Sequence, residues 1–225
     1  MVMKKARITE IFGSIQGEGL YLGQAQTFVR FYGCNLDCGF CDEKRKNSRK
    51  EYTSKELINT ILKLNNKVIS FTGGEPLLYS DFLKDILPQL REMGFIAYLE
   101  TNGTLKNKLL EIIDFLDIIS MDIKLPSSTG LRGYWKAHES FLKEAVRKKV
   151  FVKAVITDNT TISDIKRAVS VIEKVGRHIP FVLQPVTVDG RIKAIKQARK
   201  FLDIADAALD KARLIPQVHK ILGVK

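Results

Sequence analysis

Residues 26–41 read Gln-Thr-Phe-Val-Arg-Phe-Tyr-Gly-Cys-Asn-Leu-Asp-Cys-Gly-Phe-Cys. The first half, Gln26–Tyr32, is short and rich in β-branched and aromatic residues, as a buried parallel strand is. It runs through Gly33 into Cys34, Cys38 and Cys41, the only three cysteines of the chain. A C-x3-C-x2-C spacing lets three thiolates hold three irons of a [4Fe–4S] cluster and leaves the fourth iron open to another molecule. A structural zinc or cluster site asks for four protein ligands. Three alternatives stay open. The cysteines could form one apolar face of a helix, but Gly33, Asn35, Asp37 and Gly39 argue for a loop. A disulfide would leave one cysteine over and imply an oxidising compartment, and the N-terminal residues carry no apolar signal-peptide region. A zinc site would have to borrow a distant ligand.

Outward from this stretch, strand-like runs alternate with amphipathic helical patterns. The strand candidates after the first are Lys67–Phe71, Phe95–Glu100, Ile118–Asp122, Val150–Ile156 and Phe181–Gln184. Helical patterns cover Ser54–Leu64 with Ser54 as N-cap, Ser80–Met93, Leu105–Phe115, Tyr134–Lys149, Ile162–Val175 and Ile192–Leu209. Pro88 is expected to kink or shorten the second helix, and Gly94 suits its C-cap. This β–α alternation implies an α/β fold with a parallel sheet and helical crossovers. An open or partial barrel and a doubly wound sheet both fit. One domain over residues 1–225 is expected, with an N-terminal segment 1–25, a core 26–187 and a C-terminal helix and tail 188–225.

Functional residues of such sheets cluster where the strands end. The unusual loops lie there: the cysteines, Thr72-Gly73-Gly74-Glu75-Pro76, Glu100-Thr101-Asn102-Gly103, Asp122-Ile123-Lys124 and Gln184-Pro185. Asn102-Gly103 by itself reads as an ordinary turn.

The 37 Lys+Arg against 25 Asp+Glu give a formal charge of +12. That permits nucleic acid or an acidic small substrate as ligand. The basic residues are spread over helix faces, and no aromatic interleaving accompanies them, so direct nucleic-acid binding is not expected. The cluster Lys44, Arg45, Lys46, Arg49 and Lys50 could cover the mouth of a site or meet the acidic surface of an electron donor. No apolar run is long enough to span a bilayer, so no membrane contact and a cytoplasmic location are expected.

The cysteine spacing, with Phe40 before the last cysteine, resembles the radical S-adenosylmethionine (SAM) superfamily, and Thr72–Pro76 resembles its second motif. The stretch Glu10-Ile-Phe-Gly-Ser-Ile-Gln-Gly-Glu-Gly19, the Thr27–Phe31 lead-in, Cys41-Asp42 and the ending Gln217-Val218-His219-Lys220 resemble the 7-carboxy-7-deazaguanine synthase family. That resemblance implies a partial, open β/α barrel. It implies a cluster on Cys34, Cys38 and Cys41, and SAM on the open iron. In that family a 5′-deoxyadenosyl radical contracts the ring of 6-carboxy-5,6,7,8-tetrahydropterin to 7-carboxy-7-deazaguanine. Ammonia is lost, SAM is regenerated, and the product feeds deazapurine (queuosine or archaeosine-type) tRNA bases.

Carried over residue by residue, the resemblance implies a carboxylate-binding Arg30 and a pterin-edge acceptor Glu18, with Ser14, Ile15, Gln16, Thr72 and Lys225 also on the substrate. On the SAM side it implies Phe40, Cys41, Asp42, Gly74, Glu75, Asp122, Ile123, Lys124, Gln184, Pro185, Val186 and Thr187. Glycine at 73 and 74 would let backbone approach the methionine moiety, and Glu75 would accept from its amino group. Glu43 stands where the family often has Thr or Ser on a magnesium ion; a carboxylate is a competent Mg²⁺ ligand. A flavodoxin or ferredoxin donor and a homodimer are also implied. His138 and His178 read as structural or exposed, and His219 as packing near the site. A glycyl-radical-enzyme activase and a non-enzymatic metal- or RNA-binding module are the rival readings.

Overall fold

The computed structural model describes residues 4–41, 49–188 and 191–224. Its strands are β1 (Lys5–Ile15), β2 (Ala25–Phe31), β3 (Lys50–Thr53), β4 (Val68–Gly73), β5 (Ile96–Thr101), β6 (Ile118–Asp122), β7 (Lys149–Ile156), β8 (Phe181–Pro185), β9 (Thr187–Val188), β10 (Arg191–Ile192) and β11 (Ala212–Leu214). The α-helices are α1 (Ser54–Leu62), α2 (Ser80–Glu92), α3 (Lys106–Leu110), α4 (Pro126–Thr129), α5 (Trp135–Ala145), α6 (Ile162–Val175), α7 (Ala198–Asp206) and α8 (Val218–Leu222).

Among the described residues nine strands form one sheet in the order β11-β8-β7-β6-β5-β4-β2-β1-β3. The run from β2 to β11 is parallel throughout. Its ends do not meet, so the sheet is an open, partial barrel. All six expected strands are present, within two residues of their expected limits. The sheet is mixed rather than purely parallel, because β1 lies antiparallel to both β2 and β3. β1 was expected only as an N-terminal segment. Its start alternates exposed Lys5 and Arg7 with buried Ala6 and Ile8, the period of a strand with one wet face.

The helices cover the outer face. Thr53, one residue before the expected Ser54, caps α1: its side chain accepts from the Glu56 amide while the Glu56 carboxylate accepts from the Thr53 amide at 2.8 Å. α2 continues through Pro88 rather than stopping there. A mid-helix proline costs about 3 kcal/mol. Burial of Phe82, Leu83, Ile86, Leu87 and Leu90 on both sides of it offsets that several-fold, at about 1.5–3 kcal/mol per side chain. Gly94, at φ +77°, then ends the helix in a Schellman motif, with Phe95 N bonded to Leu90 O at 3.0 Å and Gly94 N to Arg91 O at 2.8 Å. The expected Leu105–Phe115 helix is broken into α3 and a 3₁₀ turn at Ile113–Phe115. The expected Ile192–Leu209 helix is shortened to α7, because Arg191 and Ile192 pair with β9.

Candidate active site

β2 ends at Phe31, and Gly33 at φ +88° turns the chain into the cysteine loop. Cys34 is exposed, Cys41 half-buried and Cys38 buried, and all three thiols are free. The Gly39 amide donates to Thr129 O at 2.8 Å, anchoring the loop on α4. Cys34 Sγ accepts from the Leu36 amide at 3.4 Å and from Asn102 Nδ2 at 3.8 Å. Burial pushes the Cys34 and Cys38 thiols up, so a cationic metal must supply the pull that makes them thiolates. Among the described residues no three His, Cys, Asp or Glu side chains gather into a single-ion site. A cluster asks each thiolate to take its own iron.

The Gly73-Gly74 pair lines the larger cavity and also packs closely on protein backbone. A Cβ on Gly74 would sit 1.9 Å from Gly33 O, and one on Gly73 2.4 Å from the Phe31 backbone. The Gly74 amide donates to Phe31 O at 3.0 Å and the Glu75 amide to Gly33 O at 2.9 Å. The glycines thus press the loop after β4 against the root of the cysteine loop. Glu75 is placed differently from its expected role. It is fully buried, and its carboxylate accepts from the Leu77 amide, Thr101 Oγ1 and the Asn102 amide. It ties the β4 and β5 loops together from below, and burial raises it from 4.5 to about 7.

A cavity of about 430 Å³ opens above these loops. On one side stand Phe40, Asp122, Lys124, Gln184, Val186 and Thr187. Lys124 Nζ donates to Asp122 Oδ2 at 3.0 Å and lies 5.9 Å from the Phe40 ring centre. Asp122 Oδ1, Gln184 Oε1 and Thr187 Oγ1 are buried with no hydrogen-bond partner among the described residues. Unpaired buried acceptors on a cavity wall fit a ligand rich in N–H and O–H donors, as the amino group and ribose of SAM are. Ile123 and Pro185, expected beside them, lie outside this lining. Ile123 packs in the hydrophobic core while its amide bonds Lys153 O, and Pro185 is buried in β8.

On the other side the cavity meets a second one of about 190 Å³, sharing Glu18, Arg30, Thr72, Glu100 and Gln217. Buried Gln16 donates to Glu100 Oε1 at 2.9 Å and accepts from the Glu18 amide at 3.0 Å. Thr72 Oγ1 donates to Glu100 Oε2 at 2.6 Å. Glu18 binds Lys153 through one oxygen and Gln217 through the other. Burial alone would raise Glu18, but the Lys153 ammonium and the two hydrogen bonds take it down to about 2. Arg30 Nε lies 3.3 Å from Glu10 Oε2, with its guanidinium 5.7 Å from the Phe12 ring centre. Ile15 lines the second cavity, whereas Ser14, opposite Gln26 in the β1–β2 pair, lines neither. His219 also lines the second cavity, and its ring fills the space over Gly17.

Residues 28–190 match the radical SAM superfamily. The 7-carboxy-7-deazaguanine synthase of Geobacter sulfurreducens is 37% identical over 97% of both chains. That of Methanocaldococcus jannaschii is 34% identical over 96% of this chain and 99% of its own. The chain belongs to the 7-carboxy-7-deazaguanine synthase family. The crystal structure of QueE from Escherichia coli shares its fold, with a TM-score of 0.69 at 20% identity over 96% of this chain and 95% of that one.

Of the positions the family resemblance pointed to, the cavities gather Ile15, Gln16, Glu18, Arg30, the three cysteines, Phe40, Thr72, Gly74, Asp122, Lys124, Gln184, Val186 and Thr187. Asp42, Glu43 and Lys225 lie outside the described residues, as do Lys44, Arg45 and Lys46 of the basic cluster. The cavity wall also contains Glu100 and Asn102 from a strand-end loop already placed at the site end of the sheet, Gln217 from the C-terminal motif, and Lys153, to which the sequence reading gave no role. Asn102, read there as part of a turn, holds Cys34. Buried His138 supports it from α5 through Nε2 to Asn102 O at 3.1 Å, and burial lowers His138 to about 4. The available signal for Lys153 was one charge inside the apolar run Val-Phe-Val-Lys-Ala-Val-Ile.

Proposed function

We infer that the chain is a radical SAM 7-carboxy-7-deazaguanine synthase. It contracts the ring of 6-carboxy-5,6,7,8-tetrahydropterin with loss of ammonia, in deazapurine biosynthesis. The observation that carries this is near-full-length relatedness to the synthases, on a chain whose cysteine loop and Glu18–Arg30 corner open into adjoining cavities. When bound, the cluster and SAM supply the hydrogen-atom abstraction that starts the rearrangement. Cys34, Cys38 and Cys41 would hold the cluster, and the Asp122–Lys124 and Gln184–Thr187 walls would hold SAM through their unpaired acceptors.

Around the substrate, Arg30 offers a guanidinium to the carboxylate. Glu18 accepts from the N–H edge of the pterin, a role its low pKa suits because it stays ionised. Thr72 is oriented by Glu100. Glu43 is proposed to bind Mg²⁺, and Lys225 to reach the substrate. A homodimer of one-domain chains, a flavodoxin or ferredoxin as donor, and a cytoplasmic location complete the proposal. Among the described residues no helix is long and apolar enough to cross a membrane.

Anaerobic incubation of the reconstituted protein with carboxy-tetrahydropterin, SAM and reductant tests the reading. Formation of 7-carboxy-7-deazaguanine is expected. No product from protein with an intact cluster would overturn it. Turnover unaffected by chelation of Mg²⁺ would remove the role given to Glu43.

A further inference from the structure

Lys153 projects from β7 into the larger cavity with its side chain 12% exposed. Its ammonium pairs with Glu18 and stands 3.7 Å from Asp122, its register partner on β6. A buried ammonium costs several kcal/mol unless it is paired, and an apolar residue would suit the rest of this strand. Three carboxylates act on it: Glu18, Asp122 and Glu100. One of them belongs to the substrate corner, one to the SAM wall, and the third orients Thr72.

We propose that Lys153 is a positioning residue for the substrate, aiming and charge-balancing the Glu18 carboxylate that accepts from the pterin edge. Through Asp122 the same ammonium ties that carboxylate to the cofactor wall. This rests on the substrate reading given above. The groups facing the pair are Asp122 from β6, Lys124 from the loop after it, Glu100 and buried Tyr98 from β5, Arg30 from β2 and His219 from α8. With the ammonium removed, Glu18 keeps the Gln217 hydrogen bond but loses its strongest stabilising partner, and burial and the neighbouring carboxylates move it towards protonation.

The test is calorimetric binding of 7-carboxy-7-deazaguanine, which carries an aminopyrimidinone edge and a carboxylate, to the full chain with reconstituted cluster between pH 5 and 9. The parent and each variant are measured both with His219 present and with H219Q, so that any titration of the histidine beside the pair is read separately. The parent is expected to bind with a flat profile. K153Q weakens binding about tenfold or more, the usual loss for a charge-assisted contact, and acquires a new ionisation in this range. K153R, which keeps the charge, restores the flat profile and most of the affinity. E18Q added to K153Q abolishes the new ionisation. K153Q binding with the parent's affinity and flat profile would overturn the proposal, as would an affinity loss with no new ionisation. Wild-type protein that makes no product and binds no deazaguanine would overturn the substrate reading and this proposal with it.

Discussion

Glu75 lies beneath the cavity with no solvent contact, held by two amides and a hydroxyl. Its ordinary 4.5 rises to about 7 because burial outweighs those bonds. Between these values the folded protein keeps a proton that the unfolded chain has released. The contribution of Glu75 to stability therefore falls as pH rises from 4.5 through 7 and levels above it. An E75Q variant has no such slope. Urea unfolding should show the stability advantage of the wild type over E75Q shrinking by roughly 2 kcal/mol between pH 5 and pH 8. A constant difference would mean that Glu75 stays charged throughout. The motif Thr72–Pro76 was legible as part of a site, yet the duties within it were not. A carboxylate beside two glycines reads the same whether it faces a ligand or braces a loop, and only burial separates the two.

At the scale of the element, α2 holds a proline in a helix whose buried apolar stripe runs on both sides of it. Replacing Pro88 by Ala returns a donor to the Lys84 carbonyl and removes the ring clash. The gain is reduced by the extra freedom of the unfolded chain. P88A should raise the unfolding free energy by about 1–2 kcal/mol, read as a shifted urea midpoint at unchanged slope. Destabilisation would show that the proline ring itself packs. The six buried parallel strands were legible because both of their faces are covered, which leaves near-continuous apolar runs. β1, β3 and β11 were not. β1 has one wet face and a bulge between Ile8 and Glu10, and the other two are four and three residues long, too short for any period to show.

For the whole molecule, the open sheet gathers its strand ends on one side, so loops far apart in sequence share one cavity. That convergence was legible from the alternation of elements and the loop motifs. What was not legible is pairing across the cavity. No local pattern joins Lys153 to Glu18, 135 residues away, or Gln217 to the same carboxylate, 199 residues away. The Gln217 contact is backed by the Val218 amide, which donates to Gly17 O at 2.9 Å. A chain stopped after Leu214 keeps every strand of the main sheet and the cysteine loop. It should take up iron and sulfide normally and bind 7-carboxy-7-deazaguanine at least tenfold more weakly, since it loses a hydrogen bond to a charged group. Unchanged affinity would show that the clasp between residues 16–18 and 217–219 does not shape the substrate corner.

That clasp also sets an order of events during synthesis. The strands and the cysteine loop are all made before residue 217 is translated, and such a sheet can collapse onto its helices as it emerges. The Glu18 corner cannot be finished then, because its second partner does not yet exist. A ribosome-bound intermediate would therefore own a cluster loop before it owned a place for the pterin, and iron loading could precede competence to turn over.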